Sequence, residues 1–194
     1  RLIELHGDDH LIYTGDADRI VDEVQAFLNE CMSRDGRAER VLATILSVAV
    51  ATRDSVREAT TLFDQTIGLY RGRRVQPDDL DATFDGPERA IRCACILIAA
   101  AAQRGMTLKA GIHTGECETV AGRQTGVPFR MAAALADGAR EREVVVSRTV
   151  KDLVSGSLVQ FENRGSRRVA GVPGTWDTYA AVLPDEEPRR HSAG

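Results

Sequence analysis

Few side chains in this sequence are arranged for chemistry, and each is matched by an ordinary structural role. Pro77-Asp78-Asp79 sets two adjacent carboxylates in a turn. Carboxylate pairs bind divalent cations, yet Pro-Asp-Asp is also common turn chemistry, so Asp78 and Asp79 are weak metal candidates. His10 follows a Gly-Asp-Asp turn, and His113 lies in an apolar run, GIHTG, where a packed or hydrogen-bonded imidazole is the better reading than a base. Cys31, Cys93, Cys95 and Cys117 form no CxxC pair and have no histidine at ligand spacing, which argues for inert, reduced thiols rather than zinc or disulfides. Cys93 and Cys95, two apart on a helix, point to different faces and cannot clamp one metal. Arg71 to Arg74 reads RGRR without interleaved aromatics. Placed at a helix end, it suits the negative end of the helix dipole better than a nucleic acid.

The elements that must position these residues follow from hydrophobic period and turn residues. Arg1 to Leu5 alternates as a short strand, and Asp16 opens an amphipathic helix with Ile20, Val24, Phe27 and Leu28 on one face. Such a unit is too small to bury its own stripe and must dock on something. Residues 29–39 are polar and read as a linker. Val41 to Ala51, VLATILSVAVA, is a β-branched run suited to a central strand buried on both faces. A helix over 53–69 follows, with Val56, Leu62, Phe63, Ile67 and Leu69 as its apolar residues, then a hairpin of strands 73–76 and 80–84. Asp85-Gly86-Pro87 starts a second helix whose stripe is Ile91, Cys95, Ile98 and Ala102. A strand from Met106 to His113 completes the order βαββαβ, an α+β arrangement of ferredoxin-like type with helices on one face of a sheet. Beyond it come an Ala-rich helix at 129–136, a strand at 143–146, a helical turn at 150–153 and strands at 159–162 and 178–182. Residues 184–194, PDEEPRRHSAG, read as a disordered tail.

Composition narrows the function. With 194 residues, 43% hydrophobic content and a net charge of -4, the chain can bury one full core and carries no general field for nucleic acid or an anionic membrane. Ile91 to Ala102 is too short for the ~20 apolar residues that span a bilayer. These features predict a cytoplasmic protein. The start at Arg1, without Met or a signal pattern, reads as a piece cut from a longer protein.

Five blocks carry a resemblance: RVLATIL (Arg40 to Leu46), ATFDGPERAIRCA (Ala82 to Ala94), KAGIHTGECE (Lys109 to Glu118), VVVSRTVKDLVSGS (Val144 to Ser157) and GVPGTW (Gly171 to Trp176). In this order they resemble the class III adenylyl/guanylyl cyclase homology domain of actinobacterial type, over residues 40–183. The block RLIELHGDDHLIYTGDADRIVDEVQAFL resembles the last strand and helix of an α/β-hydrolase, with His10 at that family's catalytic histidine. Residues 1–28 are therefore expected to be a hydrolase remnant; hydrolases fused ahead of cyclase domains are a known bacterial architecture. With the nucleophile and acid absent from this chain, His10 does no acyl chemistry here.

The cyclase resemblance implies a site that this sequence has largely lost. The family closes the ribose 3′-oxygen onto the α-phosphorus of ATP with two metal ions held by two carboxylates. The first carboxylate position falls on Ala49, and the second falls in a hairpin about two residues short, near Asp78 or Asp79. The purine-reading positions fall on Gln76 and Arg123, the transition-state pair on Arg130 and Ala134, and the phosphate-binding lysine on Ala170. The segment between the first strand and the hairpin is also about ten residues shorter than the family's. The implied reading is a degenerate cyclase domain without cofactor, pairing as a homodimer and acting as a regulatory or dimerisation module beside a hydrolase domain. Two alternatives stand: an adenylyl cyclase using magnesium or manganese, and a module that binds a ligand in the relic cleft through Arg123 and Arg130.

Overall fold

The computed structural model describes residues 21–25, 39–51, 55–120 and 123–183, leaving aside the side chains of Glu39, Val120 and Arg123. The chain divides into two units, Arg1–Ala38 and Glu39–Gly194. Of the first unit only a helical segment at 21–25 is described, with Val21 and Val24 exposed. The expected hydrolase strand, His10, Cys31 and the tail at 184–194 lie outside the described residues.

In the second unit the β-branched run is the central strand β1 (Glu39–Val50). Its period of two serves both faces: Leu46 and Val48 point into the larger core, while Ala43 and Ile45 pack with Ala132 on the opposite side. β1 is followed by α1 (Val56–Leu69), β2 (Arg73–Arg74), β3 (Asp81–Phe84), α2 (Pro87–Gln103), β4 (Leu108–Val120), β5 (Arg123–Thr125), α3 (Val127–Asp137), β6 (Val144–Ser147), α4 (Arg148–Leu153), β7 (Gln160–Val169) and β8 (Val172–Val182). The sheet order is β2-β3-β1-β4-β6-β8-β7, with β5 pairing off β4. β4 and β6 run parallel, and the other pairings are antiparallel. The expected βαββαβ core is present, extended by C-terminal strands.

α1 and α2 cover one face, where Phe63, Leu97 and Ile91 are completely buried. Each such side chain contributes roughly 1.5–3 kcal/mol by leaving water. The helix faces differ in detail from the spacing argument. On α2 the buried arc runs through Ala90, Ala94, Leu97 and Ala101, while Cys95 and Ala102 are only half-buried and Ile96 is exposed. Ile91 and Ile98 belong to both arcs, and small alanines let the helix lie closer on the sheet than the larger residues beside them would. On α1, Val56 and Leu69 sit at the ends, exposed.

Helices are not confined to one face. α3 lies on the opposite side, across β4 and β1. It is admitted by Gly111: a Cβ there would stand 2.1 Å from the Ala132 carbonyl oxygen and 2.3 Å from the Ala136 nitrogen. β4 also runs on well past His113, because its register with β1 continues from Val50↔Leu108 to Glu39↔Thr119. β7 and β8 are longer than their apolar stretches, joined by a bulged ladder that passes through the polar run NRGSRR.

Candidate functional site

Two structures face each other on the α3 side of the sheet: the β2–β3 turn and the first turn of α3. In β3, Ala82 and Phe84 enter the core, so Asp81 and Thr83 project to the other face. Asp81 stands opposite Ser47 in the ladder with β1, and the Ser47 hydroxyl hydrogen-bonds its carboxyl. Burial raises the Asp81 pKa; the Ser47 bond opposes that rise and the nearby Asp79 charge adds to it.

The turn is held by Arg74. Its Nε donates to the Gln76 carbonyl at 2.8 Å, its Nη2 to the Pro77 and Asp79 carbonyls at 2.8 and 2.9 Å, and its Nη1 to the Asp64 carboxylate on α1. The guanidinium also stacks over Phe63, 5.6 Å from the ring centre. RGRR was expected to sit at a helix end and suit its dipole; it does follow α1, but Arg74 is in addition a strut between α1 and the turn. Gathering carbonyls that have no ladder partner is work a planar five-donor cation does well.

On the other side, Gly126 adopts φ 131°, open to glycine, and Pro128 enters the first turn of α3. The far end of the helix is tied down by two cations. Lys109 Nζ donates to the Asp137 carbonyl at 3.0 Å, and Arg167 donates to those of Ala134 and Gly138 at 3.4 and 3.3 Å. Arg130 therefore projects from a fixed helix. Its guanidinium reaches the β7–β8 turn, where a Cβ on Gly171 would be 3.1 Å from Nη1. Among the described residues Arg130 has no hydrogen-bond or ion-pair partner.

Between the turn and α3 lies a cavity of about 530 Å³, lined by Gln76, Asp79, Asp81, Gln124, Phe129 and Arg130 among others. Of the residues named from the sequence, the structure brings Gln76, Asp79 and Arg130 together here. Asp78 is exposed on the turn and does not line the cavity. Ala49 shares the face of β1 that carries Ser47. Arg123 is in β5 opposite Val120. Ala134 packs against Met131, Val169 and Val172, and Ala170 is exposed in the β7–β8 turn.

Asp81, Gln124 and Phe129 were not anticipated. For Asp81 a signal existed: in DATF the carboxylate alternates with two core residues, so it must share the opposite face of the sheet.

The donor set does not fit a pair of divalent cations. Ala49, where the resemblance implies a bridging carboxylate, offers only a methyl group, and no group of three or more His, Cys, Asp or Glu is clustered for a metal among the described residues.

The other candidates are structural. His113 is buried, with Nδ1 2.8 Å from the Ser147 hydroxyl, which also accepts from Val150 N at the start of α4. Its ring meets Trp176 edge-on at 5.6 Å, and burial lowers its pKa to about 4. This is the packed and hydrogen-bonded histidine expected, and its burial favours the neutral form. Burial raises the Cys93 and Cys95 thiols to about 12 and about 11, which leaves them poor nucleophiles.

The sheet order, the helix on its far face and the turn-to-helix cleft make this the fold of class III adenylate/guanylate cyclase domains, and solved structures bear this out. The chain is similar to the adenylate/guanylate cyclase/hydrolase from Silicibacter pomeroyi, at 24% identity, TM-score 0.62, covering 77% of this chain and 100% of that one. It is similar to the catalytic core of a rhodopsin-guanylyl cyclase with converted specificity in complex with ATPαS, at 12% identity, TM-score 0.65, over 76% and 99% of the two chains. It is likewise similar to the adenylyl cyclase CyaB from P. aeruginosa, at 14% identity, TM-score 0.59, over 78% and 99%. At these identities the likeness is one of fold. No family model and no curated protein matches the sequence.

Proposed function

We propose that this chain is a catalytically silent class III cyclase domain that acts as a regulatory or dimerisation module in a cytoplasmic hydrolase–cyclase fusion. The observation that carries the reading is Ala49. On the cleft face of the central strand, beside Ser47 and Asp81, a methyl group replaces the carboxylate that the resemblance requires for metal. Ala134, turned into an apolar cluster, and Ala170, a bare turn residue, stand where the resemblance calls for cations.

Loss of one preorganised transition-state donor costs ~10²–10³ in rate, and these losses fall on both halves of a site that the family shares between subunits. A competent partner would therefore not restore it. The hydrolase association is supported by the sequence of residues 1–28 and by the paired names, cyclase and hydrolase, of the Silicibacter pomeroyi protein. No helix among the described residues is long and apolar enough to cross a membrane. Homodimer formation rests on the family's pairing alone.

The deciding measurement is production of cyclic AMP and cyclic GMP from ATP and GTP with excess manganese, beside an active cyclase. Silence of this chain while the control turns over is the expected result. Turnover that Asp78→Asn or Asp79→Asn abolishes would overturn the proposal and restore an enzyme.

A further inference from the structure

The cavity carries opposite charges on its two walls, and neither wall is neutralised from within the described protein. Arg130 and the first turn of α3, whose N-cap Gly126 supplies no side-chain acceptor, form the positive wall. Asp79 and Asp81 form the negative one. Some arginines of the unit are engaged, Arg74 with Asp64, Arg89 with Asp85, Arg92 with Glu88 and Arg164 with Glu143. The guanidinium groups of Arg71, Arg73 and Arg168, like that of Arg130, have no partner among the described residues; Arg130 differs from these in lining the cavity. No cation pairs with Asp79 or Asp81 among the described residues. Asp81 is partly desolvated and has only the Ser47 hydroxyl and a like-charged neighbour. Arg130 and Asp79 are exposed to water and need no ligand to be satisfied, but opposite charges on the two walls of one cavity complement a ligand that brings both.

We propose that this cavity binds a small organic zwitterion without a metal ion, its anionic group on Arg130 and its ammonium group on Asp79 and Asp81. The proposal rests on the reading of the cleft as non-catalytic and gives it a ligand class. About 530 Å³ lies within the ~300–1,000 Å³ typical of small-molecule sites. Gln76 and Gln124 add amide groups to the lining and Phe129 an aromatic ring, so a flat or apolar middle is accommodated between the two charged ends. A polyanion is disfavoured: its extra charge would meet Asp79 and Asp81 directly, and the donors that would hold an intervening metal are missing. Like charges in such a setting discriminate against the wrong ligand as strongly as good contacts favour the right one.

The test uses a matched probe set with the full chain in EDTA, read by isothermal titration calorimetry. 4-(Aminomethyl)benzoate carries both charges on a flat ring, while benzoate and benzylamine each carry one. The zwitterion is expected to bind at least ~10-fold more tightly than either control. Arg130→Gln should reduce it to the level of benzylamine, and Asp81→Asn to the level of benzoate, with circular dichroism confirming the fold. Should Asp81→Asn fail to fold, Asp79→Asn, an exposed turn position, takes its place. Equal binding of the three probes, no binding of the zwitterion at about 10 mM, or indifference to the aspartate substitution would overturn the proposal. So would ATP in EDTA binding more tightly than the zwitterion. Cyclic nucleotide production in the same preparations is read separately, so turnover would sink the silent-domain reading while zwitterion binding decides this one.

Discussion

The two faces of the sheet are packed by different rules. Under α1 and α2, contact is made by interdigitated side chains, with Phe63, Ile91 and Leu97 fully buried. Under α3, Leu135 and Ala132 are also fully buried, but backbone comes into contact as well: β4 presents Gly111 to the Ala132 carbonyl and the Ala136 nitrogen, while Gly115 lies against the Pro128 ring. The first face tolerates changes of volume by partial collapse. The second does not, because main chain cannot step aside as a side chain can. The α3 face also carries the titratable groups that project inward, Asp81 and His113, beside Ser47, and the cleft opens at its edge; on the other face the buried hydroxyls of Thr44 and Thr114 bond each other.

The sharpest way to break the comparison is to change the volume of one side chain on each face. Gly111→Val should lift α3 off the sheet and cost more than about 4 kcal/mol, enough to prevent recovery of folded protein, whereas Leu97→Ala should cost ~2–5 kcal/mol and leave a cooperative transition. Denaturant unfolding of the two variants checks the order. Equal, modest losses would mean that α3 is not held by backbone contact.

Next in size is the pH dependence of the polar face. His113 has its pKa lowered to about 4 from 6.5 by burial. The unfolded chain therefore takes up this proton first, and stability is full above about pH 6.5, falls as pH drops toward 4, and levels off below. At ~1.4 kcal/mol per pH unit the loss is about 3 kcal/mol. Unfolding free energies of the wild type and His113→Gln, compared across pH 7 to 4, should differ by that slope. Parallel curves would place the imidazole in contact with water.

The smallest expected effect concerns the strut at the cleft. Arg74→Gln frees the carbonyls of Gln76, Pro77 and Asp79 and should cost ~1–3 kcal/mol. Hydrogen exchange should then rise in the turn before it rises in α1. Uniform change across both would make Arg74 a general core residue.

Legibility followed the same division. The face under α1 and α2 was readable because apolar period is a local signal: β1, both helices and the hairpin fall close to their expected limits. Even there, the α2 stripe shifted by one residue, since alanine hides its burial in composition. The other face was readable only in part. Cyclase-like blocks pointed to Gln76, Asp79 and Arg130, and GIHTG to a packed histidine. Asp78 fell outside the cavity, however, because the Arg74 strut sets which turn residues face it. β7 and β8 were under-read, since a ladder through NRGSRR is specified by its partner strand and not by its own hydrophobicity.

What the sequence by itself determined was the order and type of the elements apart from β5, and the apolar period that turns one side of each inward; that Ala49, Ala134 and Ala170 stand at positions calling for charge is what the resemblance implies. These are properties of residues taken singly or at short spacing. The tertiary structure alone decided that Asp81 joins Asp79 and Arg130 around one cavity, that Arg74 supports the turn, and that Arg130 reaches Gly171. Each of these depends on strand register, on a glycine close contact or on a long side chain crossing between elements. Such relations arise only when segments distant in sequence are brought together.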